Sequence, residues 1–225
     1  FHRLNEASGG LVRLVTVACE EEGAMPFIQE VSKACTVSLG HTTAGYDTAM
    51  AAFQAGASHA THLYNGMPSL LHRAPGVIGA AFDSGATVEL ICDGLHIHPS
   101  VIRLTRQLFG KKLVIISDSL RCAGMPDGQY ELGGQPIEMK NGKATLLGTD
   151  TLAGSSSNLL DEVRNVVSFG LTLEDAIYAV SQAPAQAVGL KDVGVLEAGK
   201  RADLLVLDGS LNLEQVYIDG NLIGG

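Results

Sequence analysis

Apolar runs and amphipathic stretches alternate through the first half of the chain. "LVRLVTVACE" (11–20) is dense in β-branched and apolar residues and predicts a buried strand. "MPFIQEVSKAC" (25–35) places Phe27, Ile28 and Val31 at helical spacing, and "TVSLGH" (36–41) is again strand-like. "YDTAMAAFQAGA" (46–57) predicts an Ala-rich helix that stops at a glycine. "HATHLYN" (59–65) predicts a short strand or strand end, and "TVELICDGLHI" (87–97) and "KKLVIISDS" (111–119) predict two further apolar strands. Between those two lies "PSVIRLTRQLFG" (99–110), a helix that opens on Pro and closes on Gly. Near-continuous apolar strands alternating with amphipathic helices predict a parallel sheet covered on both faces.

The texture changes after residue 127. "GQYELGGQPIEMKNGKATLLGTD" (128–150) is punctuated by Gly-Gly and Asn-Gly, the chemistry of tight hairpins. Helices are predicted at 156–170 and 172–189, the second opening on Thr172 with Asp175 three residues on, a capping-box variant. The tail, 194–225, reads as short strands and turns. The domain expectation is a partial barrel over 1–190, with a hairpin insertion near 128–150, and a β-appendage over 191–225.

Composition narrows the partners. The 225 residues carry a formal net charge of −9 and no basic run, which argues against nucleic acid or an anionic membrane surface. No apolar run reaches the roughly 18 residues of a membrane span. Cys19, Cys35, Cys92 and Cys122 form no C-x-x-C pair; reduced thiols and a cytoplasmic setting are expected. There is no G-x-G-x-x-G or P-loop to support a nucleotide-binding reading.

The polar residues inside this apolar scheme carry the chemistry. His41, His62, the pair Asp93 and His96, and Asp118 each fall at the C-terminal end of a separate predicted strand. In a parallel barrel those ends share one face, so imidazoles and carboxylates distant in sequence can converge. Each has a plainer reading. A strand-end His is ordinarily a hydrogen-bonding residue, and Asp93 before Gly94 can be a turn former. Glu20–Glu22 read as a solvated loop. His96 and His98 imitate an H-x-H metal pair, but Pro99 follows at once. His59 is expected to point away from His62. The catalytic reading rests on the recurrence of one placement on consecutive strands.

The stretches "GHTTAGYDTAMAAFQAGASHATHLYNGM", "DGLHIHP", "SDSLRCAGMPDG", "LAGSSSNLLDEVRNVV" and "EAGKRADLLVLD" resemble the N-acetylglucosamine-6-phosphate deacetylases of the amidohydrolase superfamily, from about Val15 to the last residues. The resemblance implies an α/β fold: a (β/α)8 TIM-like barrel of the metal-dependent hydrolase type, here partial with about five βα units, and part of a small β-sandwich appendage. It implies that His41 and His62 are metal ligands and that Asp118 is the catalytic acid/base. It implies that Asn65, Gly66 and Arg73 meet the phosphate, Arg73 reaching into a neighbouring subunit of a homodimer. His96 would hold the acetamido group, and Leu152, Ala153, Gly154 and Ser155 would close over the substrate. The cofactor implied is a divalent metal, zinc first, with iron or another ion also suited to such ligands. The family's third ligand, a Glu in an L-E-G-P motif, does not occur in this sequence. It is expected before Phe1, so the chain reads as a C-terminal portion. The implied reaction yields glucosamine 6-phosphate and acetate. The rival expectations are another amidohydrolase with a different substrate, or a catalytically incomplete half-barrel.

Overall fold

Five short strands form one parallel sheet, hydrogen-bonded in the order in which the chain makes them. The structure, a computed structural model, describes residues 1–224. The strands are β1 (Leu14–Val17), β2 (Thr36–Leu39), β3 (His59–Ala60), β4 (Thr87–Ile91) and β5 (Leu113–Ile116). All four pairings are parallel, and Leu39 sits opposite Ala60 as Ile91 sits opposite Ile116. Parallel neighbours need crossover connections. After α1 (His2–Ala7), which precedes the sheet, helices supply them: α2 (Ala24–Val31), α3 (Tyr46–Ala55), α4 (Gly76–Ser84) and α5 (Pro99–Phe109).

The local signals explain most of these boundaries. Pro99 occupies the first turn of α5, where its missing N–H costs nothing, and the His98 side chain accepts the Ser100 N–H as cap. That use of His98 removes it from any H-x-H metal pair with His96. Gly56 ends α3, and Gly85, in left-handed backbone (φ 68), ends α4. The pattern along the chain did not announce α4, because "GVIGAAFDS" is small and apolar without a polar contrast that would set a helical period. Nor did it announce α1, whose six residues bury none of their side chains.

The core lies between sheet and helices. Val37, Leu39, Val88, Leu90, Ile115, Ile28, Ile78 and Ile102 are all buried. Each such aliphatic side chain contributes about 1.5–3 kcal/mol by leaving water. The wholly buried β1 that the apolar run predicts is corrected: β1 pairs only with β2 at the sheet edge, and its residues are half-buried or exposed.

The hairpin segment forms a three-stranded antiparallel sheet of β6 (Gly128–Leu132), β7 (Gln135–Lys140) and β8 (Lys143–Leu146). Its turns use Gly133–Gly134 and Asn141–Gly142, all with positive φ. The chain then returns to the parallel sheet through α6 (Leu159–Ser168), capped by Asn158, whose side chain accepts the Leu160 and Asp161 N–H groups. The single helix expected over 172–189 is two, α7 (Leu173–Val180) and α8 (Gln182–Ala187), broken at Ser181. Pro184 lies inside this stretch and has no N–H for the carbonyl a turn before it. Thr172 caps α7 by accepting the Asp175 N–H, but Asp175 does not reciprocate; its carboxylate pairs with Arg106 of α5 at 2.5 Å. A second three-stranded sheet, β9 (Leu204–Leu207), β10 (Leu213–Ile218) and β11 (Asn221–Gly224), closes the described chain. Arg164 of α6 ties it down by donating to the Leu211 carbonyl.

Candidate active site

Four strands of the parallel sheet deliver a polar residue two positions past their last residue. They are His41 after β2, His62 after β3, Asp93 after β4 and Asp118 after β5. Three of the four take left-handed backbone: His41 (φ 49), His62 (φ 31) and Asp118 (φ 49). Non-glycine residues are uncommon there, and each costs of order 1–2 kcal/mol that surrounding contacts must offset.

Those contacts are specific. The Thr42 N–H, next to His41, donates to the Gly66 carbonyl at 3.0 Å. Glu20, at the end of β1, accepts from the Thr42 hydroxyl and from the Thr43 N–H and hydroxyl. Glu20 is exposed, as a solvated loop expects, yet its carboxylate is tied to Thr42 and Thr43. Burial pushes its carboxyl up, but these hydrogen bonds outweigh that and hold it below the usual range. His62 is fixed from β4, where the Glu89 side chain accepts the His62 N–H (3.3 Å) and the Glu89 carbonyl accepts the Leu63 N–H (2.8 Å). Asp118 is fixed from the 152–155 stretch: its carbonyl accepts the Ser155 N–H at 2.9 Å, and the Ser155 hydroxyl donates to the Ser117 carbonyl.

The arrangement brings the His41 and His62 rings together, Nε2 to Nε2 at 2.8 Å with ring planes at 87°. His41 is exposed, whereas His62 is 5% exposed and its Nδ1 has no hydrogen-bond partner among the described residues. Burial pushes the His62 imidazole down, and His41 pushes the same way, against a weaker opposing pull from the Asp118 carboxylate. Two imidazoles whose Nε2 atoms meet are the donor type that borderline divalent ions take. Among the described residues no group of three or more His, Cys, Asp or Glu is arranged to hold a metal.

The other expected site residues fall as follows. Asp93 accepts from the His96 ring at 2.7 Å and from the Leu95 and His96 N–H groups. Burial pushes its carboxyl up, and those three bonds more than reverse the effect. Asn65 turns its amide back to the His62 and Leu63 carbonyls (3.3 and 3.4 Å). Gly66 (φ 59) packs against His41; a β-carbon there would lie 3.3 Å from the His41 Nδ1. Arg73 is exposed and makes no hydrogen bond or ion pair among the described residues. Leu152 and Ala153 run beside β8, Leu152 opposite Thr145 and the Ala153 N–H donating to the Ala144 carbonyl. Gly154 and Ser155 are buried, and the Ser155 hydroxyl is already engaged within the turn. His59 sits beneath the site, 1% exposed, bonded to Ser38 and 3.6 Å from Glu89, while His62 turns to His41.

Two acids, the half-buried Glu89 and the fully buried Glu162, escaped the sequence pattern. Glu89 had a signal, a lone Glu inside the apolar run "TVELIC". Glu162 had none, because Asp161–Glu162 read as ordinary acidic residues of a helix's first turn.

A parallel five-stranded α/β sheet with imidazoles and carboxylates at its strand ends defines the class: a parallel α/β domain with the site placement that barrel enzymes use. Residues 16–223 match the amidohydrolase family, and the chain belongs to it. It is 40% identical over 215 residues to the N-acetylgalactosamine-6-phosphate deacetylase of Escherichia coli O157:H7, covering 94% of this chain and 57% of that protein. It is 37% identical over 213 residues to the N-acetylglucosamine-6-phosphate deacetylase of Vibrio furnissii, covering 93% and 53%. The Mycobacterium smegmatis N-acetyl-D-glucosamine-6-phosphate deacetylase, solved as an aspartate-to-alanine variant with N-acetyl-D-glucosamine-6-phosphate, superposes with a TM-score of 0.94 at 38% identity over 98% of this chain and 60% of that one. The chain thus spans a little over half the length of the curated relatives it matches. Among the described residues no helix is long and apolar enough to cross a membrane.

Proposed function

We propose that the protein carrying this chain hydrolyses the acetamide of N-acetylglucosamine 6-phosphate, releasing acetate and glucosamine 6-phosphate. The observation that supports the reading is the meeting of the His41 and His62 imidazoles on the same row of strand ends that Asp118 follows, in a fold shared with phosphosugar deacetylases.

In this reading His41 and His62 hold a divalent ion, zinc in first place, through Nε2; a third protein ligand lies outside the described residues. Such an ion would lower the pKa of a water near it from about 15.7 toward about 7 and would polarise the amide carbonyl. Asp118 takes the proton of the attacking water and then gives it to the leaving nitrogen, so one carboxyl serves as base and acid in turn. Asp118 follows β5 in left-handed backbone, as His41 and His62 do after β2 and β3. His96, oriented by Asp93 through one ring nitrogen, offers the other to the acetyl oxygen. Removal of one such donor is worth about 3–4 kcal/mol of barrier. The backbone of Asn65 and Gly66 receives the phosphate, and Arg73, whose planar fork matches phosphate oxygens, completes its binding from a second subunit.

A second reading keeps the chemistry and changes the sugar to the 4-epimer, N-acetylgalactosamine 6-phosphate, which the E. coli relatives' names carry. Acetate release should be measured with both epimers and with unphosphorylated N-acetylglucosamine. The glucosamine assignment expects the highest kcat/KM on N-acetylglucosamine 6-phosphate. Preference for the galacto epimer would move the assignment to the second reading, and no release from any of the three would end both.

A further inference from the structure

Beneath the turn that carries Asp118, a chain of polar groups runs into the protein and ends on Glu162 of α6. Glu162 is fully buried, at 0% exposure. Its Oε1 meets the Ser157 hydroxyl, Ser157 Oγ lies 3.0 Å from Ser155 Oγ, and Ser155 Oγ meets the Ser117 carbonyl. The Ser155 N–H also donates to the Asp118 carbonyl at 2.9 Å. Three links therefore join a carboxyl group to a carbonyl through two hydroxyls. A carbonyl can only accept, and each hydroxyl has one proton to give. If the carboxyl were ionised, two protons would have to serve three links, and one pair of oxygens would face each other bare.

We infer that Glu162 is a positioning residue held as the neutral acid, supplying the third proton of a Glu162–Ser157–Ser155 relay that fixes the backbone bearing Asp118. The inference rests on the deacetylase reading only for the role of Asp118; the relay itself stands on the proton count. Two further features agree with it. The second oxygen, Oε2, is buried and makes no hydrogen bond among the described residues, a position far more costly for half of an ionised carboxylate than for a neutral acid. Burial, reinforced by the nearby Asp93 carboxylate and opposed by the Ser157 hydroxyl, the Cys92 backbone and His96, pushes the Glu162 carboxyl up to about 7. The groups that face it are Asp93, Cys92 and His96 from the end of β4. On its own helix Asp161 pairs with Arg164, which also holds the Leu211 carbonyl. Asn165, three residues further along α6, donates to the Cys92 carbonyl at 3.2 Å, so one helix face grips the ends of β4 and β5 together.

The test uses the full protein. Glu162→Gln keeps the shape and a donor toward Ser157, so it should retain kcat within about threefold below pH 7 and lose less activity than wild type as pH rises past 7. Glu162→Ala and Ser157→Ala should each lower kcat roughly 10–100-fold, as outer partners of a site residue do, with KM for N-acetylglucosamine 6-phosphate within about threefold. The double variant should be no worse than Glu162→Ala. An infrared difference between wild type and Glu162→Gln at about pH 6 should show the carbonyl stretch of a protonated carboxylic acid. Absence of that band, or Glu162→Gln as damaging as Glu162→Ala, would overturn the inference. If wild type releases no acetate, the deacetylase reading fails and the infrared band alone decides the relay. If Glu162→Ala does not fold, Ser157→Ala, which removes one hydroxyl, decides the matter through kcat: a wild-type value would overturn the relay.

Discussion

His41 and His62, from the ends of neighbouring strands, stand Nε2 to Nε2 at 2.8 Å. At that distance the two lone pairs need something between them, either a proton carried by one ring or a shared cation. A ligand pair loses far more than an outer partner, whose removal already costs about 10–100-fold in metal affinity. His41→Ala or His62→Ala should thus cut metal retention at least about a hundredfold, read as bound divalent ion after dialysis of the full protein. Unchanged metal content in both variants would take the imidazoles out of the site.

Gly66 is what allows the two histidine loops to approach. Its φ of 59 favours glycine, and a β-carbon would press within 3.3 Å of the His41 Nδ1. Gly66→Ala should cost about 1–2 kcal/mol of stability from backbone strain alone. Its loss of activity should exceed that, because His41 is displaced at the same time. Denaturation midpoints and kcat measured together separate the two effects; a kcat that stays at the wild-type level would show that His41 does not depend on this contact.

The histidine pair also shows what the sequence could reveal. The strand-end rule found His41, His62, Asp93 and Asp118, because a parallel sheet fixes where strand ends point whatever the loops do. It offered no account of their backbone: the left-handed φ values come from tertiary clamps such as Glu89 on His62 and Ser155 on Asp118, whose partners lie 27 and 37 positions away in sequence. Glu20 is exposed, as its acidic run suggests, but its ties to Thr42 and Thr43, 22 and 23 positions away, are tertiary in the same way. The break at Ser181 was legible in Pro184, but a periodic apolar pattern on both sides concealed it. The edge position of β1 depends on which strands neighbour it, which its own residues do not encode.

Asp118 offers a sharper separation of chemistry from binding. Asp118→Asn preserves size and polarity but cannot accept and return a proton. With general acid–base catalysis typically supplying about 10²–10⁴-fold, kcat should fall by that factor while KM stays within about threefold and metal content is unchanged. Steady-state kinetics with metal analysis would check this, and a near-normal kcat would remove Asp118 from the reaction.

Arg73 is exposed and makes no ion pair among the described residues, a poor use of a guanidinium in an isolated chain and a natural one if it meets a phosphate. Arg73→Ala should raise KM for N-acetylglucosamine 6-phosphate, by roughly 10-fold or more for a lost charged hydrogen bond of about 1.5–3 kcal/mol. It should leave the unphosphorylated sugar nearly unaffected. Equal effects on the two sugars would show that Arg73 does not read the phosphate.

Two buried groups set opposite slopes on stability against pH. Burial lowers His59 from 6.5 to about 4, so the native state keeps it neutral while the unfolded chain takes up a proton. Its contribution is present above pH 6.5 and is lost as pH falls toward 4. Glu162 is raised from 4.5 to about 7, so the native state keeps a proton that the unfolded chain has released. Its contribution is present below pH 4.5 and is lost as pH rises through 7. Each difference, about 2.5 on the pH scale, corresponds to about 3 kcal/mol at full development. Urea unfolding should therefore give Glu162→Gln a stability that rises relative to wild type between pH 4.5 and 7 and levels off above. His59→Gln should gain relative to wild type in the other direction, as pH drops from 6.5 to 4. Parallel curves for wild type and Glu162→Gln across that range would mean that the carboxyl at the end of the serine relay is ionised in the native protein.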